Sequence, residues 1–437
     1  MKDEPRISVS DTLKATPMAV RYLLGGILVN QIGAFVQTFL VLYLTHLHLS
    51  IQTAGLSMVA YSAGTILGTM LGGEATQRFG PRFTIVAAMA GSGPLVAVIP
   101  LLSRSSLLAP LLAVLALAGL LAQAYRPAAS VLLSEMMPER HQVMAFSMLR
   151  IALNAGAAVA PLIAAGLILF DWNALFWMDG ATTLVYAALA FALLPRQAVL
   201  AAKEKAAAQD TGPEEPTAAA PPLSRRAAYG ALLRDRGYLL FLCGVMLGTL
   251  TYMQSVVALP LQIRADGYPT ALYSVVLTVS SVVLITCELK VTTYILRIPP
   301  YSAVLFGHLA NALGFAFYAL SDKSSAFLII GSVLEISGVM IAGPTMYAHP
   351  ATFPKALKVR YISTMQAVTG LAAALGPLIT VYVWTRLDHV FWVLCALAAA
   401  VTGVLAMTGI KWGIEQDARQ QRDAVVEGEP ESVGGTV

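Results

Sequence analysis

Five ionisable side chains lie inside long apolar runs of this chain: Arg126, Arg150, Asp179, Glu288 and Glu335. A carboxyl group shielded from bulk water can take up and release a proton, and a guanidinium can hold an anion or balance a carboxylate. Glu335, in SVLEISGVMIAGP, lies near the middle of its run and is the first candidate for proton exchange, with Asp179 and Glu288 as the other carboxyl candidates. A structural glutamate bonded to a neighbouring helix is the competing reading of Glu335. Glu288, close to Lys290, reads as a snorkelling pair at a membrane interface, and Asp179, near the end of its run, reads as interfacial. Arg126 and Arg150 could bind an anionic substrate group or balance buried carboxylates, and the balancing role is preferred. The polar residues Asn30, Gln31, Gln37, Tyr125, Asn154, Tyr252 and Gln254 also fall in apolar runs, where they could orient a ligand or join helices by hydrogen bonds.

These charges decide what must surround them. Each costs about 2.5–3.5 kcal/mol at the centre of a bilayer, so all must face protein, one another or water. That requires an internal polar cavity. No nucleophile–base set, zinc-ligand spacing or phosphate-binding glycine loop accompanies them, so neither an enzyme nor an ATP-driven pump is expected, and no cofactor. The three cysteines, Cys243, Cys287 and Cys395, all fall in apolar runs and read as small core residues.

The elements that position these groups follow from composition. Of 437 residues, 57% are hydrophobic and 12% charged, too few charges to coat a soluble protein of this length. A span of about 20 residues crosses the hydrocarbon core. Twelve such runs are found, roughly at 20–45, 52–73, 83–103, 107–134, 143–170, 174–194, 237–262, 270–296, 300–320, 325–348, 360–386 and 389–412. The first is expected to be retained, since the polar N-terminus carries no cleavable signal. With both ends placed inside, only Arg104, Arg264, Lys323 and Arg386 fall in outer loops, and every other Lys and Arg outside the spans lies on the inner side. This is the bias the positive-inside rule demands, and an error of one span would scramble it.

Residues 196–236 are rich in Ala, Pro and charge, and read as a cytoplasmic linker with a surface helix near 224–234; the tail, 413–437, reads as disordered. The linker divides the spans six and six. The halves match faintly: at one offset Pro138 meets Pro354 and Pro161 meets Pro377, and Gln37 falls opposite Gln254, as a duplicated unit would give.

Two motifs carry a resemblance. GGEATQRFGPRFT, residues 72–84, places Gly73, Arg78, Gly80 and Arg82 in a loop between spans two and three, and LRIALNAGAAVAPLIAAG, residues 149–166, places Gly156, Pro161 and Gly166 in span five. The first resembles the Gly-x-x-x-Asp-Arg-x-Gly-Arg-Arg loop of the major facilitator superfamily, with Gln77 in place of the Asp and Pro81 in place of an Arg. The second resembles the glycine–proline motif of its drug:proton antiporters. The resemblance implies a cytoplasmic gate loop in which Arg78 or Arg82 meets Glu135, and a cavity lined by spans one, four, seven and ten. The acidic residue that many drug antiporters carry in the first span is missing here.

The expected protein is therefore an all-α integral membrane protein of twelve transmembrane helices in two pseudo-symmetric six-helix bundles. Its segments are a cytoplasmic N-terminal stretch 1–19, a bundle 20–195, the linker 196–236, a second bundle 237–412 and the tail 413–437. The resemblance implies a secondary transporter of the plasma or inner membrane, both termini cytoplasmic, exporting small amphipathic compounds against protons by alternating access. Uptake symport of a small metabolite and a non-transporting sensor on the same scaffold are the alternatives. The partners expected are a small-molecule substrate, protons and lipid, with no nucleic acid, and the protein is expected as a monomer.

Overall fold

A computed structural model describes residues 8–104, 108–195, 225–269, 271–387 and 389–427. Most of the expected linker, 196–224, lies outside the described residues. The first half comprises α1 (Val9–Ala15), α2 (Met18–Ile32), α3 (Val36–His46), α4 (Ile51–Phe79), α5 (Pro81–Ser103), α6 (Leu108–Met136), α7 (Gln142–Phe170) and α8 (Asn173–Leu193). The second comprises α9 (Arg225–Arg234), α10 (Arg236–Ala265), α11 (Ala271–Ile295), α12 (Pro300–Tyr318), α13 (Ser325–Ala348), α14 (Lys355–Leu387) and α15 (His389–Glu427). Ten helical stretches among the described residues are long and apolar enough to cross a membrane. Helices α12 and α14, of 19 and 33 residues, stand where spans nine and eleven are expected and complete the twelve.

The packing pairs repeat between the halves. In the first bundle α4 packs on α6, α5 on α8, and α2 on α7 and α8; in the second, α11 packs on α13, α12 on α15, and α10 on α14 and α15. Short 3-10 turns, Glu139–His141 and His349–Thr352, join the fourth span of each bundle to the fifth. Pro161 and Pro377 both lie inside the fifth spans, α7 and α14. Close approach of α4 to α6 rests on Gly64, Gly68 and Gly72, one turn apart, where an added Cβ would strike the backbone of Ala116, Leu120 and Ala124. Small residues of this kind let membrane helices approach to backbone contact.

Three sequence expectations are corrected. Residues 72–84 are not a loop: α4 continues to Phe79, Gly80 turns the chain at φ 86°, and Pro81 starts α5. Glycine tolerates that φ and proline suits a first helical turn, so a single residue joins the two spans. The tail is helical as far as Glu427, as the last turns of α15. Span one is not continuous: it breaks into α2 and α3 at Gly33–Phe35.

That break is stabilised from another helix. Asp179 of α8 accepts hydrogen bonds on Oδ2 from the backbone N–H groups of Phe35, at 2.9 Å, and Val36, at 3.2 Å. A helix start leaves such N–H groups without intrahelical acceptors, and a carboxylate there also meets the positive end of the helix dipole. Asp179 is buried, not interfacial.

The side carrying α1, α9 and the end of α15 is called the linker side below. On it, Ser8 and Asp11 form a reciprocal capping box at the start of α1. Those Ser8 hydrogen bonds hold the Asp11 carboxyl below its usual range. The buried Thr12 hydroxyl meets Nδ1 of His141 at 2.9 Å and ties α1 to the first bundle.

Removing the acceptor at Asp179 should weaken the first bundle. Asp179→Ala is expected to cost about 1–2 kcal/mol, in the range of a lost helix cap, and Asp179→Asn less, because an amide oxygen can still accept. Thermal unfolding of the two variants in detergent checks the order; equal midpoints for wild type and Asp179→Ala would contradict it.

Candidate functional site

Among the described residues a polar pocket is found within each bundle, whereas the sequence suggested one cavity lined by spans of both. The first has about 50 Å3 of free interior and is confined to the N-terminal bundle. Asn30, Gln31 and Gln37 of span one line it, with Tyr125 and Arg126 of α6 and Asp179 of α8. Sequence reasoning missed Tyr61, Ser92, Gln123 and Thr183, which complete the wall. The break in span one brings Ala34 and Gln37 to the same wall as Asn30 and Gln31. Asn30 accepts from Thr183 at 3.1 Å, and Tyr125 stands edge-on to Tyr186 with ring centroids 5.6 Å apart. Gln31 packs on Gly156 of α7, where an added Cβ would come within 2.6 Å of the glutamine side chain.

Glu335 occupies the second pocket, in the C-terminal bundle, with Thr251, Tyr252, His308 and Asn311. Its carboxylate accepts from Tyr318 of α12 at 2.8 Å and from the Ser255 hydroxyl of α10. Glu335 is thus buried and held by helices on both sides, while Tyr252 beside it is 43% exposed. Asn311 Oδ1 is buried in the same wall without a hydrogen-bond partner. Such a wall has polar capacity to spare for a water or a ligand.

Between the bundles lies a contact that the sequence did not reveal. Arg150 of α7 crosses into the C-terminal bundle and places Nε 3.3 Å from Oε1 of Glu288 on α11. The two side chains are 6% and 0% exposed, so neither shares its charge with water. Arg150 also donates to the Val339 carbonyl of α13 at 2.8 Å. The guanidinium rests against Gly343, where any Cβ would overlap it. A glycine is what leaves room for the arginine between α11 and α13. Glu288 accepts no aligned hydrogen bond on either oxygen, so the arginine charge is its one compensation among the described residues. This corrects the reading of Glu288 as an interface partner of Lys290: the glutamate points into the protein while the lysine is exposed.

The other contacts between bundles lie beside it. Ser147 meets Thr292 at 2.8 Å, Gln366 donates to Ser130 at 2.9 Å, and Gly73 faces Ser363 so closely that a Cβ would strike it. All of these lie in the linker-side half of their helices. The bundles are therefore sealed together on that side.

The remaining candidates serve locally. Gln254 donates to Leu250 and accepts from Thr380 at 2.5 Å, so it joins α10 to α14 instead of lining a cavity. Asn154 turns back on its own helix and donates to the Arg150 carbonyl at 2.8 Å. Pro161 is exposed and Gly166 faces open space, so of this motif's glycines Gly156 alone makes a close approach. Near the gate stretch, Arg82 donates to the Phe191 carbonyl and lies 5.4 Å from that ring, Arg78 lies 5.2 Å from the Phe79 ring, and Gln77 Oε1 is buried without a hydrogen-bond partner. Glu135 is exposed near the end of α6.

Comparison with known proteins agrees with this architecture. The family model described as Major Facilitator Superfamily matches residues 23–377. An uncharacterized MFS-type transporter, YqjV of Bacillus subtilis (strain 168), is 23% identical over 333 residues, covering 74% of this chain and 76% of that protein. A Na(+), Li(+), K(+)/H(+) antiporter of Planococcus maritimus is 20% identical over 368 residues, covering 79% and 85%. Among solved structures, the transporter FucP in the outward conformation superposes with a TM-score of 0.68 at 15% identity, covering 90% of this chain and 99% of that one. The proton:xylose symporter XylE bound to 6-bromo-6-deoxy-D-glucose gives 0.66 at 14% identity, covering 94% and 96%.

Breaking the buried pair on one side should be costly. Glu288→Gln leaves Arg150 charged and uncompensated, and a loss of about 3–5 kcal/mol is expected. Gly343→Ala should act in the same direction by displacing the guanidinium, whereas Arg150→Met with Glu288→Leu should recover most of the stability. Unfolding midpoints of the three proteins in detergent test this ordering, and a Glu288→Gln protein as stable as wild type would refute it.

Proposed function

Because the chain belongs to the Major Facilitator Superfamily, we propose that it is a proton-coupled antiporter that exports small amphipathic compounds across the cell membrane by alternating access. The observation that carries this reading is the setting of Glu335. A carboxyl group is buried deep within a membrane bundle, bonded to two hydroxyls on flanking helices, in a pocket that also holds the part-exposed Tyr252. Both hydroxyls can rotate, so the site can accommodate a carboxylate or a carboxylic acid. A group with that freedom can carry a proton between two exposures.

The positive-inside bias puts the linker side in the cytoplasm. The sealed half is then the cytoplasmic half. Opening inward must separate Arg150 from Glu288, Ser147 from Thr292 and Gln366 from Ser130. Gln77 carries no charge, so this superfamily's usual acidic latch at that position is not available. The Arg150–Glu288 pair supplies the charged lock in its place.

Export is favoured over uptake by the glycine–proline stretch of span five, whose Gly156 packs on span one beside the first pocket. Inside-out vesicles separate the two directions: an exporter accumulates substrate when the lumen is acid. Glu335→Gln is expected to abolish accumulation driven by a proton gradient and to leave substrate counterflow without a gradient within a few-fold of wild type. Proteoliposome flux with both drives measures this, and gradient-driven accumulation at the wild-type level in Glu335→Gln would remove the proton role from that residue.

A further inference from the structure

We propose that Arg126 receives an anionic group of the transported compound, so that the substrates are small amphipathic acids carrying a carboxylate or a group of like charge and shape. This rests on the transporter reading and specifies its substrate. Two arginines within the spans, Arg150 buried and Arg126 part-buried, differ in their partners. Arg150 has Glu288 at 3.3 Å. Arg126, in the wall of the first pocket, has no ion pair and no hydrogen bond to any described residue, and its Nε is buried without an acceptor.

The one carboxylate that shares the pocket does not answer it. Asp179 turns Oδ2 to the N–H groups of Phe35 and Val36 and lies beyond ion-pair distance of Arg126. Tyr61 stands within electrostatic reach of both groups. A guanidinium stays protonated under all ordinary conditions, so deprotonation cannot relieve the imbalance. The missing partner is therefore an anion that comes and goes. A planar carboxylate matches the guanidinium fork through two parallel hydrogen bonds. Carboxamides of Gln31 and Gln123 and the hydroxyls of Tyr61 and Ser92 stand around the same space and can add donors.

Size argues for a headgroup socket. The free interior is about 50 Å3, whereas pockets that enclose a drug-sized molecule run to about 300–1,000 Å3. The space suits a carboxylate, with the apolar remainder of the compound lying outside it. A cationic compound would meet Arg126 with like charge, and a neutral one would leave it uncompensated.

The test uses purified full-length protein in detergent, with salicylate and hexanoate as anionic probes and salicylamide as the neutral counterpart. Both anions are expected to raise the unfolding temperature with increasing concentration, and salicylamide is not. Arg126→Gln should weaken anion binding about tenfold or more, as loss of a charged hydrogen-bond pair does, with Arg126→Lys retaining part of it. In the absence of any probe, Arg126→Met should unfold at or above the wild-type temperature, because it removes an unpaired charge. The proposal is overturned if neither anion stabilises, if salicylamide stabilises equally, if Arg126→Gln keeps the full shift, or if probe-free Arg126→Met unfolds well below wild type. Equilibrium binding needs no gradient, so these outcomes are independent of whether Glu335 carries the proton.

Discussion

The contact on which the conformation depends is the ion pair between Arg150 and Glu288 across the two bundles. Its strength comes from its surroundings. Neither side chain is open to solvent, Gly343 supplies the slot for the guanidinium, and no aligned hydrogen bond shares the charge of the glutamate. In such a setting the loss of one partner strands the other, which is why a buried pair is expensive to break from one side even when it adds little net stability. In the alternating-access reading proposed above, the transporter breaks it in every cycle. Some compensation must arrive at the same moment, and a proton on Glu288 or a rearranged partner for Arg150 are the two forms the chemistry allows. The pair therefore joins the energetics of charge to the geometry of gating.

Around that lock the two bundles do different things. The N-terminal bundle holds an arginine with no ion pair or hydrogen bond to a described residue, in a small pocket beside the break in span one, which Asp179 caps at the start of α3. The C-terminal bundle holds a buried carboxyl, Glu335, between two hydroxyl donors. In the proposed reading, anion binding and proton binding are separated by the interface between the bundles, which the Arg150–Glu288 pair spans. Coupling between them needs no direct contact if both bias the same two-state closure.

The spans and the two-bundle arrangement were legible because they follow from apolar length and charge bias, which are local properties. Helix breaks and partners were less so. Continuous membrane helices also tolerate glycine, so Gly33 does not mark a break by itself, and the acceptor that stabilises it, Asp179, lies five spans later in the chain. Glu288 was read against Lys290 because they are close in sequence, yet residues two apart on a helix point to different faces. Its true partner, Arg150, belongs to the other bundle. Gly80 and Pro81 did carry a readable signal: a glycine that can turn at positive φ followed by a proline at the first helical position joins two helices with no loop. Gln254 shows the opposite limit, since nothing in sequence distinguishes a cavity amide from one bonded to a neighbouring helix, as it is to Thr380.

The most direct test of the lock is a distance across it. With Cys243, Cys287 and Cys395 replaced by Ala, spin labels at Glu139→Cys and Arg297→Cys report the separation of the bundles on the linker side by electron–electron dipolar spectroscopy. The account predicts one short, dominant distance in the otherwise native protein, and a second, longer population when Glu288→Gln is added. An unchanged distribution in the Glu288→Gln protein would mean that the pair does not hold the linker side closed.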